Sequence, residues 1–302
     1  MALGEDNSVN VLVAGELFAD LVMTGLDTLP KPGEEVFARG FRREPGGAAI
    51  TAMGLARLGR RTGLIGAVGA IDSGGVLESL WRAGVDVSRV LNVPGEYTGT
   101  SVAISGVAIS GENERAFLTW PGANAHFMEA FDDSALLATH LHWSAPVDVA
   151  SLRRARATGF SISLDIGFAS AGPPVLEALP LVDWFFPNES EAHRITGEAT
   201  AEAMLRAFAA AGAQGVVVKL GSRGAAMLVD GKYLEQAPPP VEAIDTTGAG
   251  DCFDAGFLDT WLNGGSAAEC LRIANFCAAF STRSLGGIAG FPLRDEIPQG
   301  GN

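Results

Sequence analysis

The segment DTTGAGD, residues 245–251, concentrates groups that could bind and act on an anion: two carboxylates, two hydroxyls and two glycines. Gly248 and Gly250 let the backbone approach a ligand closely and adopt dihedral angles closed to other residues. An amphipathic helix is predicted over residues 250–262, because aromatic side chains recur there every four residues: Phe253, Phe257 and Trp261. The N–H groups of residues 248–251 lack intrahelical partners at the start of this helix, so we predict an anion site there.

Asp251 falls in the first turn of the predicted helix, where two interpretations are open. An acid there interacts favourably with the helix dipole or caps the helix, and its removal would cost about 1 kcal/mol of stability and little activity. A carboxylate beside an anion site could instead act as a general base. It would accept the proton of a substrate hydroxyl as that oxygen attacks a terminal phosphorus, which predicts a phosphoryl-transfer enzyme.

The rest of the chain alternates short buried strands with helices. Strands are predicted where apolar runs are bounded by turn residues: 9–15, 62–69, 139–145, 160–167, 182–188 and 215–221. Helices are predicted where apolar residues recur at helical spacing: 48–58, 75–83, 149–158, 189–196, 201–211, 250–262 and 267–282. This alternation indicates an α/β protein with a mainly parallel sheet covered by helices on both faces.

Two stretches, residues 31–47 and 98–124, interrupt the alternation because they have strand patterns without helices of their own. Strands without a covering helix must rest on another element, so we predict that they form a small flap beside the main sheet, hinged at Gly46 and Gly47. Such a flap could close over a ligand. The alternative is a simple edge extension of the main sheet.

Composition limits the class of partner. The chain has 21 basic and 35 acidic side chains, a net charge of −14, and no run of Lys or Arg, which disfavours nucleic acid and anionic membranes as partners. Cys252, Cys270 and Cys277 lack metal-site spacing and suit a reducing compartment. The acidic N-terminal segment is unlike a signal peptide, and no apolar run could span a membrane, so we predict a cytoplasmic protein. His140 and His142 alternate on one predicted strand, and buried, hydrogen-bonded imidazoles are favoured there over a metal site.

The segment DTTGAGDCFDAGFL, residues 245–258, resembles the C-terminal signature of the ribokinase-like (PfkB) family of carbohydrate kinases. The similarity runs from VLVAGELFAD near the N-terminus to GGIAGFP near the C-terminus. It implies one domain over residues 1–302, with lid segments at about 31–46 and 98–121. The implied fold is a three-layer α/β/α sandwich with a mainly parallel central sheet and a small β-strand lid.

The resemblance also assigns roles to the opening segment. It implies that Asp251 is the catalytic base and that the amides of Gly248, Ala249 and Gly250 form the anion hole. The glycine segment would therefore bind a phosphate, and Asp251 would act as a base next to it.

The acceptor side is implied by two further motifs. PGGAAITAMGLARLG, residues 45–59, resembles the family's N-terminal signature, in which Gly46 and Gly47 join the lid to the core and contact the sugar. Asp20, in GELFAD, matches an acid that binds substrate hydroxyls, although a solvated turn acid is the alternative. The chain departs from the family at Ile50 or Thr51, where members commonly have a sugar-binding asparagine. The resemblance therefore does not predict which sugar is the substrate.

The resemblance implies that ATP is the nucleotide. Lys219 and Gly221 in VVVKLGSRGA would lie near the phosphates and ribose, and Asn275 and the loop 284–287, including Gly287, would flank the adenine. An ordinary polar helix residue is the alternative for Asn275.

FFPNESEAHRITG, residues 185–197, resembles the family's N-x-x-E element, in which Asn188 and Glu191 organise water-bound Mg²⁺ and the phosphates. From chemistry alone the two residues equally suit an N-cap and its capping-box partner. Many relatives also hold a monovalent cation, and the carbonyls of Asp245 and Thr247 match part of that K⁺ site.

Together these features predict an ATP-dependent kinase for an unphosphorylated monosaccharide or sugar acid. Ala48 and Ala49 stand where phosphofructokinase-like relatives have a basic residue that grips a substrate phosphate. A guanidinium on the lid could pair with a carboxylate or sulfonate, so an anionic sugar is also a candidate acceptor. The lid arginines are Arg39, Arg42 and Arg43. The alternatives are a nucleoside kinase, a non-catalytic sugar or nucleotide sensor, and an oxidoreductase, whose dinucleotide fingerprint is missing. A homodimer through apolar lid residues is also expected: Ile104, Val107 and Ile109.

Overall fold

The computed structural model describes residues 10–108, 113–131, 138–167 and 173–298, so Ile109 and part of the predicted lid lie outside the described residues. The strands are β1 Val11–Gly15, β2 Leu17–Thr24, β3 Gly40–Gly47, β4 Thr62–Gly69, β5 Asp86–Val93, β6 Gly99–Ala108, β7 Asn113–Trp120, β8 His140–Ser144, β9 Ser161–Asp165, β10 Trp184–Phe185, β11 Val217–Lys219, β12 Ala225–Val229 and β13 Lys232–Gln236. The helices are α1 Ala48–Arg57, α2 Gly74–Arg82, α3 Phe127–Ala130, α4 Val149–Ala157, α5 Pro173–Ala178, α6 Glu189–Thr196, α7 Ala201–Ala210, α8 Ala249–Leu262 and α9 Ala267–Ser281.

The central sheet has six parallel strands in the order β10-β9-β8-β1-β4-β5. Its strands are short apolar runs, as expected for strands buried on both faces. Val11 and Val13 of β1 pack into a core with α1, α8 and α9, whereas Leu12 and Ala14 pack into a second core with α4, α6 and α7. The predicted α/β fold, with a mainly parallel sheet and helices on both faces, is confirmed.

A second sheet of three antiparallel strands, in the order β11-β12-β13, continues this layer. Parallel bridges from Phe185 to Val216 and from Asn188 to Lys219 connect it to the β10 edge. The carboxyl ends of β9 and β11 therefore lie near the start of α6.

A third sheet has four strands in the order β3-β2-β6-β7 and draws β3, β6 and β7 from the two stretches that lack helices. Its central strand β2 was not predicted, because only Glu16 separates it from β1 and the two read as one nearly continuous apolar run. We call this four-stranded element the lid sheet.

Side chains alternate between the two faces of the lid sheet. One register row crosses all four strands with polar residues: Glu44, Asp20, Ser101 and Thr119. We call this row the polar row and its side the inner face. A row three residues further along the strands lies on the opposite, outer face and is apolar throughout: Phe41, Met23, Ile104 and Ala116.

The predicted helices 48–58, 75–83, 149–158, 189–196, 201–211, 250–262 and 267–282 are all present, with ends within one residue of those predicted. Capping explains several boundaries. Side chains of Asp148, Asn188, Thr200 and Ser266 each accept a hydrogen bond from the third residue of the helix that follows. Within the described ranges, no helix is both long and apolar enough to cross a membrane.

Candidate active site

The start of α8 is built on a glycine that no other residue could easily replace. Gly248 caps the helix in the left-handed conformation, with φ 68° and ψ 5°. A Cβ atom there would lie 2.7 Å from Ile50 Cδ1 and 2.8 Å from Gly287 Cα. The Ala249 amide donates to the Thr246 carbonyl at 3.3 Å, whereas no backbone acceptor in the described parts of the chain bonds to the Gly248 and Gly250 amides. An anion could therefore bind these two amides without displacing a backbone bond.

Asp251 lies in the first turn of α8 and is half-buried. Its backbone carbonyl accepts a hydrogen bond from Thr51 Oγ1 at 3.3 Å, which ties α8 to α1. Thr51 is fully buried, so its side chain anchors α8 to α1 and does not face an open pocket.

Asp20 shares its surroundings with Asp251. Burial, followed by the charges of Asp251, Glu44 and Asp245, raises the pKa of Asp20 to about 7. A Cβ atom on Gly46 would lie 2.1 Å from Asp20 Cγ, so only glycine at 46 leaves room for this carboxylate. Asp20 is therefore an enclosed acid of the lid sheet and not a solvated turn residue.

Gly47 closes the junction between β3 and α1. It caps α1 with φ 63°, and a Cβ atom there would lie 2.4 Å from the Glu16 carbonyl oxygen. The Ala48 amide donates to the same carbonyl at 3.0 Å. The paired glycines thus serve two packing needs, one against Asp20 and one at the junction of lid and core.

Glu44 was not predicted and lies beside Asp20 in the polar row. Arg42 Nε donates to Glu44 Oε2 at 3.1 Å, whereas Oε1 is buried and has no hydrogen-bond partner in the part of the chain that the structure describes. Burial raises the pKa of Glu44, and the charge of Arg42 and the nearby backbone amide of Gly287 oppose that rise. A Cβ atom on Gly286 would overlap this carboxylate, so the loop before Gly287 packs directly on Glu44. The EPGG sequence could have indicated Glu44, because residues 44 and 46 of a strand share a face.

Lys219 lies near the start of α8 but is held by two carboxylates. Its Nζ donates to Asp165 Oδ2 at 2.6 Å and to Asp254 Oδ1 at 3.3 Å, and it lies 3.4 Å from where a Cβ atom on Gly250 would be. Burial would lower the pKa of Lys219, but the charge of Asp165 and the hydrogen bond to it keep the pKa above its usual range. Lys219 is therefore a permanently charged group beside the predicted anion hole.

The two partners of Lys219 differ in protonation. Burial favours the neutral form of Asp165, but the charge of Lys219 and a hydrogen bond from Asp254 hold its pKa below the usual range. Burial and the charge of Asp165 raise the pKa of Asp254 well above its usual range, against the charge of Lys219. The cluster thus contains an ionised Asp165, a protonated Asp254 and a charged Lys219. Neither acid was predicted, because their partner comes from a distant strand.

Asn188 and Glu191 form the capping box that their spacing suggested. The Glu191 amide donates to Asn188 Oδ1, and the Asn188 amide donates to Glu191 Oε2, both at 2.9 Å. Burial and the charge of Asp165 raise the pKa of Glu191 to about 7. Glu191 therefore caps α6 and also faces the Lys219 cluster.

The remaining nucleotide-side residues lie on separate elements. Gly221 has φ 60° and begins a short 3₁₀ turn after β11. Asn275 of α9 is buried and donates through Nδ2 to the Gln236 carbonyl at 2.8 Å. The Gly287 carbonyl accepts a hydrogen bond from Cys252 Sγ at 3.0 Å, and Gly287 itself packs against Ile50 and Gly248.

Asp245 organises the turn before α8. Its Oδ1 accepts from the Thr247 amide at 3.0 Å and from Thr247 Oγ1 at 2.7 Å, and its Oδ2 accepts from the Gly286 amide at 2.9 Å. The side chains of Asp245 and Thr247 thus form hydrogen bonds that stabilise this turn and the loop at Gly286. Across the described ranges, no group of three or more His, Cys, Asp or Glu residues is placed to hold a metal.

His140 and His142 are fully buried, as favoured from the sequence. His140 bonds to Ser161 Oγ and Ser163 Oγ, and His142 Nδ1 bonds to Ser163 Oγ, each at 2.8 Å. Burial lowers the pKa of His142 to about 4, so both rings are neutral core groups.

Residues 9–294 match the model of the pfkB family of carbohydrate kinases. The chain belongs to this family. A ribokinase of Arabidopsis thaliana is 30% identical over 95% of this chain and 79% of the relative. An ATP-dependent ribose-1-phosphate kinase of Halopiger xanaduensis is 34% identical over 96% of this chain and 97% of the relative. The structure of Arabidopsis thaliana ribokinase complexed with ribose and ATP superposes with a TM-score of 0.76 at 27% identity, covering 95% of this chain and 97% of that one.

The family confirms the predicted class of reaction: this PfkB-family protein is a phosphotransferase with an alcohol group as acceptor. Around the start of α8 the structure brings together the lid-sheet acids on one side and Lys219 on the other. The DTTGAGD segment lies between these two groups of charges.

Proposed function

We propose that this PfkB-family kinase transfers the γ-phosphoryl group of ATP to a hydroxyl of an unphosphorylated monosaccharide. The observation that carries the proposal is the place of Asp251. It is half-buried in the first turn of α8, next to the glycine cap, and close enough to Asp20 that its charge raises the pKa of that acid.

In the proposed reaction, Asp251 accepts the proton of the acceptor hydroxyl as that oxygen bonds to the γ-phosphorus. The bond from phosphorus to the bridging oxygen breaks, and ADP leaves with the electron pair. The amides of Gly248, Ala249 and Gly250 stabilise the transferring group, with the Ala249 amide turning from the Thr246 carbonyl to the phosphoryl oxygen. A positioned general base contributes about 10² to 10⁴ in rate.

The charges on the acceptor side favour a neutral acceptor. Asp251, together with Asp20 and Glu44 in their ionised forms, would repel a phosphate or carboxylate on the incoming sugar. The lid arginines do not offset this, because each has a carboxylate within 4 Å: Arg39 pairs with Asp27, Arg42 with Glu44 and Arg43 with Asp72. A neutral monosaccharide is therefore favoured over a sugar acid or a sugar phosphate.

On the nucleotide side, the charged Lys219 beside Gly250 is suited to the phosphates, and Gly221, Asn275 and Gly287 to the nucleoside. A magnesium ion fits the donors present: Glu191 is a buried oxygen donor whose raised pKa a nearby cation would lower. Asn188 and Glu191 would hold the ion through water, and it would supply charge neutralisation of the phosphates. Dependence on K⁺, through the carbonyls of Asp245 and Thr247, is a further part of the proposal.

The test is ATP consumption with a panel of free sugars, sugar acids, sugar phosphates and nucleosides. We expect a free sugar to be turned over best, and Asp251→Asn to lower kcat about 10² to 10⁴-fold while thermal unfolding is unchanged within a few degrees. Better turnover of a nucleoside or of a phosphorylated sugar would contradict the proposed acceptor. ATP binding without transfer to any acceptor would instead favour a sensor.

We also propose a homodimer formed through the outer face of the lid sheet, in a reducing, cytoplasmic compartment. The apolar row on that face includes the exposed Phe41, and the next row includes the exposed Leu118. Exposed apolar sheet faces of this kind support subunit contacts. Cys252, Cys270 and Cys277 are free and buried, which suits a reducing compartment.

A further inference from the structure

We propose that Glu44 is a second acceptor-binding carboxylate, which accepts a hydrogen bond from a sugar hydroxyl next to the one that Asp20 binds. This inference rests on the proposed function and names the acceptor chemistry that the lid sheet recognises. The ligand class is a neutral polyol with two neighbouring hydroxyl groups.

The first support is the register of the lid sheet. Glu44 and Asp20 are direct Cα partners on antiparallel strands, so both side chains project from the inner face. Ser101 and Thr119 continue the polar row, with their hydroxyl oxygens 2.9 Å apart. Four polar side chains in one row form a surface suited to a molecule with several hydroxyl groups.

The second support is the state of the Glu44 carboxylate. The side chain is only 6% exposed, and Oε2 is occupied by Arg42. Oε1 is buried and forms no hydrogen bond of normal geometry among the described residues, although the Gly287 amide lies near the carboxyl and lowers its pKa. A buried acceptor without a donor is costly and uncommon, so a donor from a ligand is the expected partner. Carboxylates accept and do not donate when ionised, and a sugar hydroxyl supplies the donor that Oε1 needs.

The third support is that the start of α1 offers no free polar side chain to a sugar. Thr51 is buried and bonded to the Asp251 carbonyl, and Ile50 packs against Gly248 and Gly287, so neither residue offers a polar group to a sugar. Glu44 lies on the strand that ends at the paired glycines and packs against Gly286 of the opposite loop. It therefore supplies a hydrogen-bond acceptor on the same side of the site.

The test compares Glu44→Gln and Glu44→Ala with wild type, using the free sugar that the panel shows to be turned over best and its monodeoxy analogues. Glu35→Gln is the matched control, because Glu35 is an exposed acid on the same lid segment. We expect KM for the sugar to rise about 10- to 100-fold in Glu44→Ala and less in Glu44→Gln. We expect KM for ATP to stay within about threefold in both variants, and the control to match wild type.

The analogues separate recognition from structure. One deoxy analogue should bind wild type about 10-fold more weakly than the parent sugar and should lose that difference in Glu44→Ala. Equal losses for every analogue and for ATP would show that Glu44 only supports the loop at Gly286, and unchanged sugar KM in both variants would equally overturn the inference. Glu44→Gln keeps the side-chain shape, so it reports on binding if Glu44→Ala does not fold. A wild type that is active on sugars separates these results from failure of the proposed function, which would appear as no transfer to any sugar.

Discussion

Two acids three residues apart on α8 show how surroundings set the role of a carboxyl group. Asp251 is half-buried at the rim of the glycine turn, whereas Asp254 is fully buried and shares Lys219 with Asp165. The chemistry of the site depends on which acid is ionised. An ionised acid at the rim can take a proton, and a protonated acid inside can hold a lysine without adding charge.

The protonation of the Lys219 cluster predicts unequal effects of two substitutions. Asp254→Asn keeps a neutral hydrogen-bonding group and should change the free energy of unfolding at pH 7 by less than about 1 kcal/mol. Asp165→Asn removes the charge that balances a buried lysine and should cost about 3–5 kcal/mol. Urea unfolding of the two variants and wild type measures both. Equal losses would mean that the two acids share the negative charge.

The raised pKa of Asp20 predicts a pH-dependent effect on stability. The folded protein binds a proton at Asp20 up to about pH 7, whereas the unfolded chain releases it near pH 3.8. Stability from this group is therefore present below pH 3.8 and falls as the pH rises towards 7. Asp20→Asn should match wild type near pH 4 and be more stable by about 2–4 kcal/mol at pH 8. A constant difference across this pH range would refute the raised pKa.

At the residue scale, the sequence predicted the groups that belong to one local motif and missed those that depend on distant partners. Gly248, Gly250 and Asp251 could be identified because a glycine turn and an acid precede a periodic helix. Asp165 could not, since its partner is a lysine 54 residues away, and Glu44 was missed although its spacing from Gly46 indicated a shared strand face.

At the scale of elements, the longer helices were predicted, whereas the short helices α3 and α5 and several strands were not. Helix ends followed from caps and apolar spacing, as at Asn188 and Gly197 of α6. Strands β2, β5, β12 and β13 were missed because they continue another strand or lack a continuous apolar run. Side-chain packing between strands decides such segments, and short-range sequence does not carry it.

The start of α8 predicts a difference between two glycine substitutions. Gly248 and Gly264 both have positive φ, 68° and 79°, but only Gly248 has neighbours where a Cβ atom would be. Gly264→Ala should cost about 1–2 kcal/mol from backbone strain alone. Gly248→Ala should cost about 1–3 kcal/mol more because it also overpacks Ile50 and Gly287. Urea unfolding at one pH compares them, and equal costs would contradict the contact.

For the whole molecule, the lid sheet divides its two faces between different tasks. The inner face carries acids towards α8, and the outer face carries the apolar row with Phe41 and, in the next row, Leu118 beside Arg43 and two apolar residues. Exposed apolar side chains lie on the outer face, at Phe41 and Leu118, which favours a partner that covers this face. The net charge of −14 opposes association of two copies elsewhere on the surface.

The apolar outer face predicts that association depends on Phe41 and Leu118. Light scattering during size exclusion should give a dimer for wild type, and Leu118→Asp should shift it to monomer at micromolar concentration. The control is Leu293→Asp, an equally apolar exposed position outside the sheet, which should leave the mass unchanged. A monomeric wild type at all concentrations would contradict the proposed dimer.

The junction at Glu16 and Gly47 leaves the chain almost no slack. One residue separates β1 from β2, none separates β3 from α1, and the Ala48 amide bonds across to the Glu16 carbonyl. With two such short connectors side by side, the lid sheet can move only as a rigid body about this junction. Lengthening either connector would loosen this attachment, and the acids of the lid sheet would then hold less fixed positions relative to α8.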